Sequence, residues 1–309
     1  MFDNFNKTFS SVLAFQRTFN TDEKCRLYLE QLKWGGEPFC PHCGNSKIYR
    51  FKDKRNFKCA DCKARFSVLV GTVFENTKLP LTKWFVAMYI LTTHKKGISS
   101  LQLATDLAIT QKSAWHVLHR LRELVREKTF EKFDGVVEVD ETFVGGKESN
   151  KHVKKRLNAG RGTVGKTTVF GLHSKGKIRT QVVTDAKSST LIPLIHSNVT
   201  KGSVMVSDDW KAYRQIADDY FHEVVTHGAG IYVNENYFHT NSIENFWSHF
   251  KRTIHGTYHQ VSPKHLTRYC DESSFRWNTR QQTQDERFNE SLARCQGRLR
   301  YKDLIAKGI

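Results

Sequence analysis

Two C-x-x-C pairs, Cys40-Pro-His-Cys43 and Cys59-Ala-Asp-Cys62, constrain this chain more than any other feature of its sequence. Fifteen residues separate them. Each pair can present two thiolates to one tetrahedral ion, and Gly44, directly after the first pair, permits a tight turn. The spacing predicts a four-cysteine zinc ribbon, a closed structural site with no open position for chemistry. Seven cysteines, an odd number, fit metal binding in a reducing compartment better than a disulfide scaffold. Cys25, Cys270 and Cys295 stand alone and read as ordinary core or surface residues; His42 reads as a solvent-facing neighbour of the site.

The predicted ribbon is also basic and aromatic, with Lys47, Tyr49, Arg50, Lys52, Lys54, Arg55, Phe57, Lys58, Lys63 and Arg65. The whole chain repeats that bias: 49 Lys and Arg against 31 Asp and Glu, a formal net charge of +18. Such an excess repels itself unless a polyanion relieves it, and nucleic acid is the usual partner. Anionic membrane is the competitor. The longest apolar run, Trp84 to Leu91, is too short to span and is flanked by lysines, and the N-terminus lacks the layout of a signal peptide. A cytoplasmic, nucleic-acid-binding protein is expected.

Along the chain, a short helix over 21–33 precedes the Cys-rich β module. Pro80 to Lys95 reads as an amphipathic helix. Ile98 to Val125 reads as two helices broken near Ile109-Thr110-Gln111. That layout resembles a helix-turn-helix, whose second helix would present its first residues, Lys112 and Ser113 among them, to the major groove. From Gly135 the pattern changes to three strands and then to alternating helix and strand, the order β-β-β-α-β-α-β-α over 135–256. This predicts a mixed sheet with helices on its faces. The expected domains are a helical segment at 1–35, the ribbon at 36–72, the helix-turn-helix-like segment at 78–130, a catalytic domain at 134–285 and a tail at 286–309.

Within that sheet the acids stand out. In VEVDETFV, alternation puts Glu138, Asp140 and Thr142 on one face and Glu141 on the other. Asp208 and Asp209 end the strand SVMVSDDW. In NSIENFWSHFKR, Ile243, Phe246, Trp247, Phe250 and Ile254 form an apolar helix face, and Asn241, Glu244, Ser248, Lys251 and His255 line an adjacent polar strip. Two strand-end acids and one helix acid can converge at a sheet edge. Clustered carboxylates repel unless divalent cations neutralise them, and hard oxygen donors point to Mg²⁺ or Mn²⁺. Two such ions suit phosphoryl transfer.

GRGTVGKT, residues 160–167, matches the pattern of a nucleotide-binding loop. That loop should follow a buried strand and open a helix. Here hydrophilic KHVKKRLNA precedes it and the β-branched run TTVFGLHS follows. The match therefore reads as part of a flexible, Gly-rich basic loop, poorly ordered without DNA. Between Gly145 and Lys166 lie seven basic residues, Lys147, Lys151, Lys154, Lys155, Arg156, Arg161 and Lys166, and one acid, Glu148. Such a loop touches DNA backbone and adds salt-dependent affinity without sequence information.

The ordered motifs CPHCG…FKCADC, FSVLVGTVFENTKLPLTKW, GISSLQLATDLAITQKSAW, VEVDETFVGGKE, SDDWKAY and HTNSIENFWSHFKR resemble bacterial insertion-sequence transposases of the DDE class with an N-terminal zinc ribbon. Thirty-five residues lie between Asp208 and Glu244, and Lys251 follows Glu244 by seven, as in that family's acid signature. The resemblance covers almost the whole chain. It implies a multidomain α+β protein: an N-terminal four-cysteine zinc ribbon, a helix-turn-helix-like helical segment, and an RNase H-like mixed α/β catalytic domain with a helical C-terminus. It implies Asp140, Asp208 and Glu244 as the catalytic, magnesium-binding acids, Lys251 as the basic residue that positions the DNA end, and Arg252 beside it on the DNA. Some subgroups carry Asn as the third residue, and Asn241 lies one turn before Glu244. Glu244 is preferred because a carboxylate binds Mg²⁺ better than an amide, with Asn241 and His239 placed around the ligands. The implied reaction is DNA cleavage at the transposon ends followed by joining of the 3′-OH to target DNA. The implied partners are double-stranded DNA (terminal inverted repeats and target) and a second copy or larger synaptic assembly, with structural zinc, catalytic Mg²⁺ or Mn²⁺ and no nucleotide cofactor. The bacterial cytoplasm, on the nucleoid, is the implied location. The alternatives are a non-catalytic DNA-binding regulator derived from a transposase, and a metal-dependent nuclease without strand transfer.

Overall fold

The computed structural model describes residues 7–128, 131–157, 162–208, 213, 216, 218–226, 233 and 235–306, with the side chain of residue 155 excluded. The chain divides into two compact units, Met1–Val125 with Gln281–Ile309, and Arg126–Arg280. The stretch from Gln281 onward, expected to end the catalytic domain and trail off as a tail, is thus built into the first unit.

The first unit opens with helices α1 (Val12–Thr18) and α2 (Asp22–Trp34). Thr21 starts α2 by accepting a hydrogen bond from the Lys24 N–H at 3.2 Å, and Gly35 ends it in the left-handed conformation that glycine adopts freely. The three short strands of the ribbon, β1 (Ile48–Arg50), β2 (Phe57–Cys59) and β3 (Arg65–Phe66), pair antiparallel in sequence order. Helices α3 (Leu81–Thr93), α4 (Ser100–Leu107) and α5 (Gln111–Val125) follow. The returning chain contributes α9 (Gln284–Ala293) and α10 (Tyr301–Ile305). Phe288 of α9 lies inside the core, its ring centroid 5.0 Å from Phe15 and 5.6 Å from Phe85. Tyr28 donates to the Asn289 side chain at 2.7 Å, and Thr72 bridges to Gln296.

The second unit is a five-stranded mixed sheet. Its strands are β4 (Val136–Val144), β5 (Thr167–Ser174), β6 (Lys177–Val183), β7 (Val204–Asp208) and β8 (Phe221–Val225), in spatial order β6-β5-β4-β7-β8. β4, β5 and β6 run antiparallel to one another in turn; β7 joins β4 in parallel, and β8 joins β7 in parallel. Three meandering strands followed by parallel additions beside the first make this the RNase H-like arrangement. Alternation sorts the two faces. Val137, Val139, Phe170 and Leu172 pack under α6 (Ser188–Asn198), whereas Val169 and Ile178 pack against α7 (Asn241–Thr253) and α8 (Pro263–Asn278). The helix expected over 211–220 falls largely outside the described residues. Among the described residues, no helix is long and apolar enough to cross a membrane.

Candidate active site

The geometry of the four paired cysteines is set locally. The Sγ atoms of Cys40, Cys43, Cys59 and Cys62 all lie within 4.8 Å of one another, and among the described residues no other group of three or more His, Cys, Asp or Glu does so. Cys40 and Cys62 are 3.6 Å apart, and Cys43 and Cys59 are 3.5 Å apart. A tetrahedral zinc with ~2.3 Å bonds sets its sulfurs roughly 3.8 Å apart, so the donor set fits a structural zinc.

The acids converge in the second unit. β4 and β7 pair only from Val136↔Val204 to Glu138↔Val206, and then part. Two residues further on, Asp140 stands level with Asp208, the last residue of β7. α7 lies across the sheet beside them. A cavity of about 460 Å³ at this parting is lined by Asp140, Glu141, Thr142, Asp208, Thr240, Glu244, Trp247, Ser248 and Lys251. The polar strip read from the helix sequence therefore contributes Glu244, Ser248 and Lys251 to one site. Asn241 is exposed and does not line this cavity.

Burial pushes Asp140 up to about 7, and the charges of Asp208 and Glu244 push in the same direction while Lys251 opposes them. Burial likewise raises Glu141 to about 8, reinforced by Asp140 and Asp208. Both acids are thus held towards neutrality first by burial and then by the neighbouring carboxylates. The acids share a cavity without closing to the 4.8 Å spacing of the cysteines, as carboxylates that repel one another should.

Two features explain how α7 is held over the strands. The first is Glu138, which is buried at 6% exposure. Its Oε2 accepts the backbone N–H of Ile243 at 2.9 Å, and its Oε1 lies 3.3 Å from His173 Nδ1, its cross-strand partner in register. His239 Nδ1 is 3.8 Å from the same oxygen. His239 therefore sits beside Glu138, and it does not line the acid cavity. Thr240, at the N-cap, makes no side-chain cap bond; its hydroxyl donates to Glu244 Oε1 at 3.2 Å. The cap of α7 is thus supplied by the strand that carries Asp140, with the favourable sense of a carboxylate at a helix N-terminus. Burial alone would raise Glu138, but His173, the Ile243 N–H and Ser242 together hold it below the usual carboxylate range.

The second feature is Gly171, the register partner of Asp140. A Cβ there would stand 2.5 Å from Trp247 Cζ2 and 3.2 Å from Ile243 Cδ1. The absent side chain lets α7 lie flush on the sheet.

Sequence alternation alone did not single out Glu138, Gly171 or Glu141 for the site. It placed Glu141 on the far face of β4. The structure brings Glu141 to the cavity because β4 has lost its β7 neighbour there, so side chains from both faces border the opening. An acid at a core position of a strand was the available signal for Glu138.

The basic residues divide. Lys147, Lys154 and Arg156 are exposed, and Lys151 and Lys166 are half-buried. Arg161 lies outside the described residues, as does the side chain of Lys155. The described part of the basic loop includes residues 148–157. It forms two short 3-10 turns around its lone acid. Glu148 pairs with Lys151 and accepts the Leu157 N–H at 3.0 Å, while the Arg156 guanidinium donates to the Lys151 and Ser149 carbonyls. At the end of the GRGTVGKT match, Thr167 begins strand β5, not a helix, so the phosphate-cradling geometry is not formed there. In the first unit, Thr110 accepts the Ser113 N–H at 3.2 Å at the start of α5, and the Lys112 ammonium sits 5.0 Å from the Tyr301 ring centroid. Arg252 is exposed on α7.

Residues 132–278 match the ISXO2-like transposase domain, and residues 20–65 match the transposase zinc-ribbon domain. The chain belongs to this family of insertion-sequence transposases. It is 30% identical over 269 residues to an uncharacterised protein in transposable element ISH50 of Halobacterium salinarum, covering 82% of this chain and 90% of that relative. It is also 30% identical over 105 residues to an uncharacterised transposase-like protein of Haemophilus influenzae, covering 34% of this chain and 83% of the relative. A pre-cleavage Mos1 transpososome structure aligns at 12% identity over 70% of this chain and 80% of that chain, with a TM-score of 0.20, too weak a likeness to carry an argument.

Proposed function

We propose that this transposase cuts the ends of its element and joins the freed 3′-OH to target DNA, with Asp140, Asp208 and Glu244 holding two Mg²⁺ or Mn²⁺ ions. The observation that carries this reading is the single cavity shared by Asp140, Asp208, Glu244 and Lys251. Carboxylate oxygens are the donors such ions take, and acids held towards neutrality by burial and by one another suit a site completed by positive charge. When bound, the ions supply activation of the attacking oxygen and stabilisation of the leaving one. The protein's own share is placement. Asp140 is fixed by β4, Asp208 by the end of β7, and Glu244 by a helix capped from β4. Lys251, two turns beyond Glu244, offers a point charge to the phosphate of the DNA end. His239 and Asn241 act only through the groups around the ligands.

Cleavage spends one water on a phosphodiester and leaves a 5′-phosphate and a 3′-OH; joining forms one phosphodiester as it breaks another and releases a target 3′-OH, so no nucleotide cofactor is needed. The ribbon and the start of α5, with Lys112 and Ser113, recognise the terminal repeats. Lys147, Lys151, Lys154, Lys155, Arg156, Arg161, Lys166 and Arg252 hold backbone phosphates. Two ends must be cut together, so a dimer or larger assembly acts, in the cytoplasm on the nucleoid.

The test uses duplexes carrying the element's terminal repeats. Wild type with Mg²⁺ should nick them, and Asp140→Asn and Glu244→Gln should fall to background with the fold intact. A pre-cut end with a free 3′-OH should be joined to plasmid DNA. Cleavage by Asp140→Asn at the wild-type rate would sink the enzyme reading; cleavage without joining would leave a nuclease.

A further inference from the structure

We propose that Glu141 is a fourth carboxylate of the catalytic metal centre, reaching it from the opposite face of β4 beside Asp140 and Asp208. This inference rests on the metal-ion reading above and deepens it.

Glu141 lines the same cavity as the three acids of the family signature. It reaches that cavity because β4 and β7 cease to pair after Glu138↔Val206, which leaves the β7-facing edge of β4 open at residues 140 and 141. The backbone joins the two acids further: the Glu141 N–H donates to Asp140 Oδ1 at 2.8 Å. The Tyr213 hydroxyl donates to Glu141 Oε1, which fixes the carboxylate at the cavity and leaves Oε2 outside that bond. A carboxylate held by one oxygen and open at the other is a natural ion ligand.

Charge argues the same way. If Glu141 served only to anchor Tyr213, a neutral amide would accept that bond without placing a fourth carboxylate in the cavity. The described lining of the cavity carries four carboxylates and one ammonium, Lys251. Two divalent ions would bring that set to a single positive charge, matched to the single negative charge of a phosphodiester. With Glu141 replaced by a neutral residue the same centre would carry two.

The test is Mn²⁺ binding to the full-length, zinc-loaded protein without DNA, followed by the electron paramagnetic resonance signal of free Mn²⁺. Four proteins are compared: wild type, Asp140→Asn, Glu141→Gln and Tyr213→Phe. Melting temperature and circular dichroism establish that each is folded. Glu141→Gln keeps volume and an acceptor for Tyr213 while removing the charge. The proposal expects it to weaken Mn²⁺ binding by ~10-fold or more, or to remove one of two ions. Tyr213→Phe should change binding far less. Should Glu141→Gln fail to fold, Glu141→Asp, which keeps the charge with a shorter reach, must bind Mn²⁺ measurably more weakly than wild type. Wild-type binding by the Glu141 variant alongside loss in Asp140→Asn would overturn the proposal and leave the three-acid centre standing. Mn²⁺ binding indifferent to both substitutions would overturn both together.

Discussion

Gly171→Ala tests how closely the second helix layer must approach the strands for the site to exist. The perturbation is one methyl group. Built on the observed backbone, it lies 2.5 and 2.9 Å from two ring carbons of Trp247 and 3.2 Å from Ile243 Cδ1. Carbon atoms rest at ~3.5–4.0 Å, so α7 must lift by about 1 Å or its side chains must leave their places. They have little room, because Ile243 is 0% and Trp247 4% exposed. Overpacking of this kind costs ~1–3 kcal/mol, which for a unit of this size lowers melting by roughly 2–12 °C. The activity should suffer more. Glu244 sits one turn before Trp247 on the same helix and Gly171 is level with Asp140, so the displacement separates two acids that line one cavity. A misplacement near 1 Å costs on the order of 100-fold in rate. Single-turnover cleavage at saturating Mg²⁺ and a thermal melt give the two readouts. The double variant with Trp247→Leu, which clears the ring from the new methyl, should regain at least part of the rate. Wild-type rate and melting in Gly171→Ala, or no recovery in the double variant, would refute the steric account.

Three further outcomes are expected. Asp140 and Glu141 titrate near 7 and 8 in the folded chain and near 4 when unfolded, so the folded state holds their protons more tightly. Stability from this source is complete below about pH 4 and is lost as pH rises to 7–8, by up to ~4 kcal/mol for Asp140. In magnesium-free, zinc-replete buffer at pH 8, Asp140→Asn should therefore melt above wild type, and Mg²⁺ should erase the difference by stabilising wild type alone; a variant that melts lower throughout contradicts this. Glu138→Ala should destabilise the second unit by ~1–3 kcal/mol, because the Ile243 N–H loses its acceptor inside the core, whereas Glu138→Gln should keep most of that stability in a denaturant titration. Cys59→Ser should abolish stoichiometric zinc in a colorimetric release assay and strip affinity for the terminal repeats, since Cys59 is fully buried at the centre of the ribbon; full zinc content in that variant would show that Cys59 is not a zinc ligand.

What the sequence exposed and what it hid follow the range of the interactions. The ribbon was legible because its ligands are paired by local turns. The face of α7 was legible because Ile243, Phe246, Trp247 and Phe250 repeat with the helical period, which also put Glu244 and Lys251 on one strip. Gly171, Glu138 and Glu141 were not, because their roles depend on strand register and on where β7 stops pairing with β4. In the basic loop the one acid, Glu148, collects Lys151 and the Leu157 N–H, a local arrangement that a count of charges does not announce. The return of residues 281–309 to the first unit was equally hidden. Tyr28 and Asn289 meet across 261 positions of chain, and no local pattern announces such a contact.

That return has a consequence for how the protein is made. The unit that carries the zinc ribbon keeps Phe288, Leu292 and Cys295 in its core, so it cannot close until residues 126–280 have left the ribosome. At ~5–20 residues per second, that interval lasts on the order of ten to thirty seconds. During it the emerging N-terminal part has its zinc ligands but lacks part of its interior. Synthesis therefore imposes an order in which the catalytic unit is complete before its neighbour matures. A premature stop just upstream of Gln281 leaves the ribbon-bearing unit without Phe288, Leu292 and Cys295 in its interior.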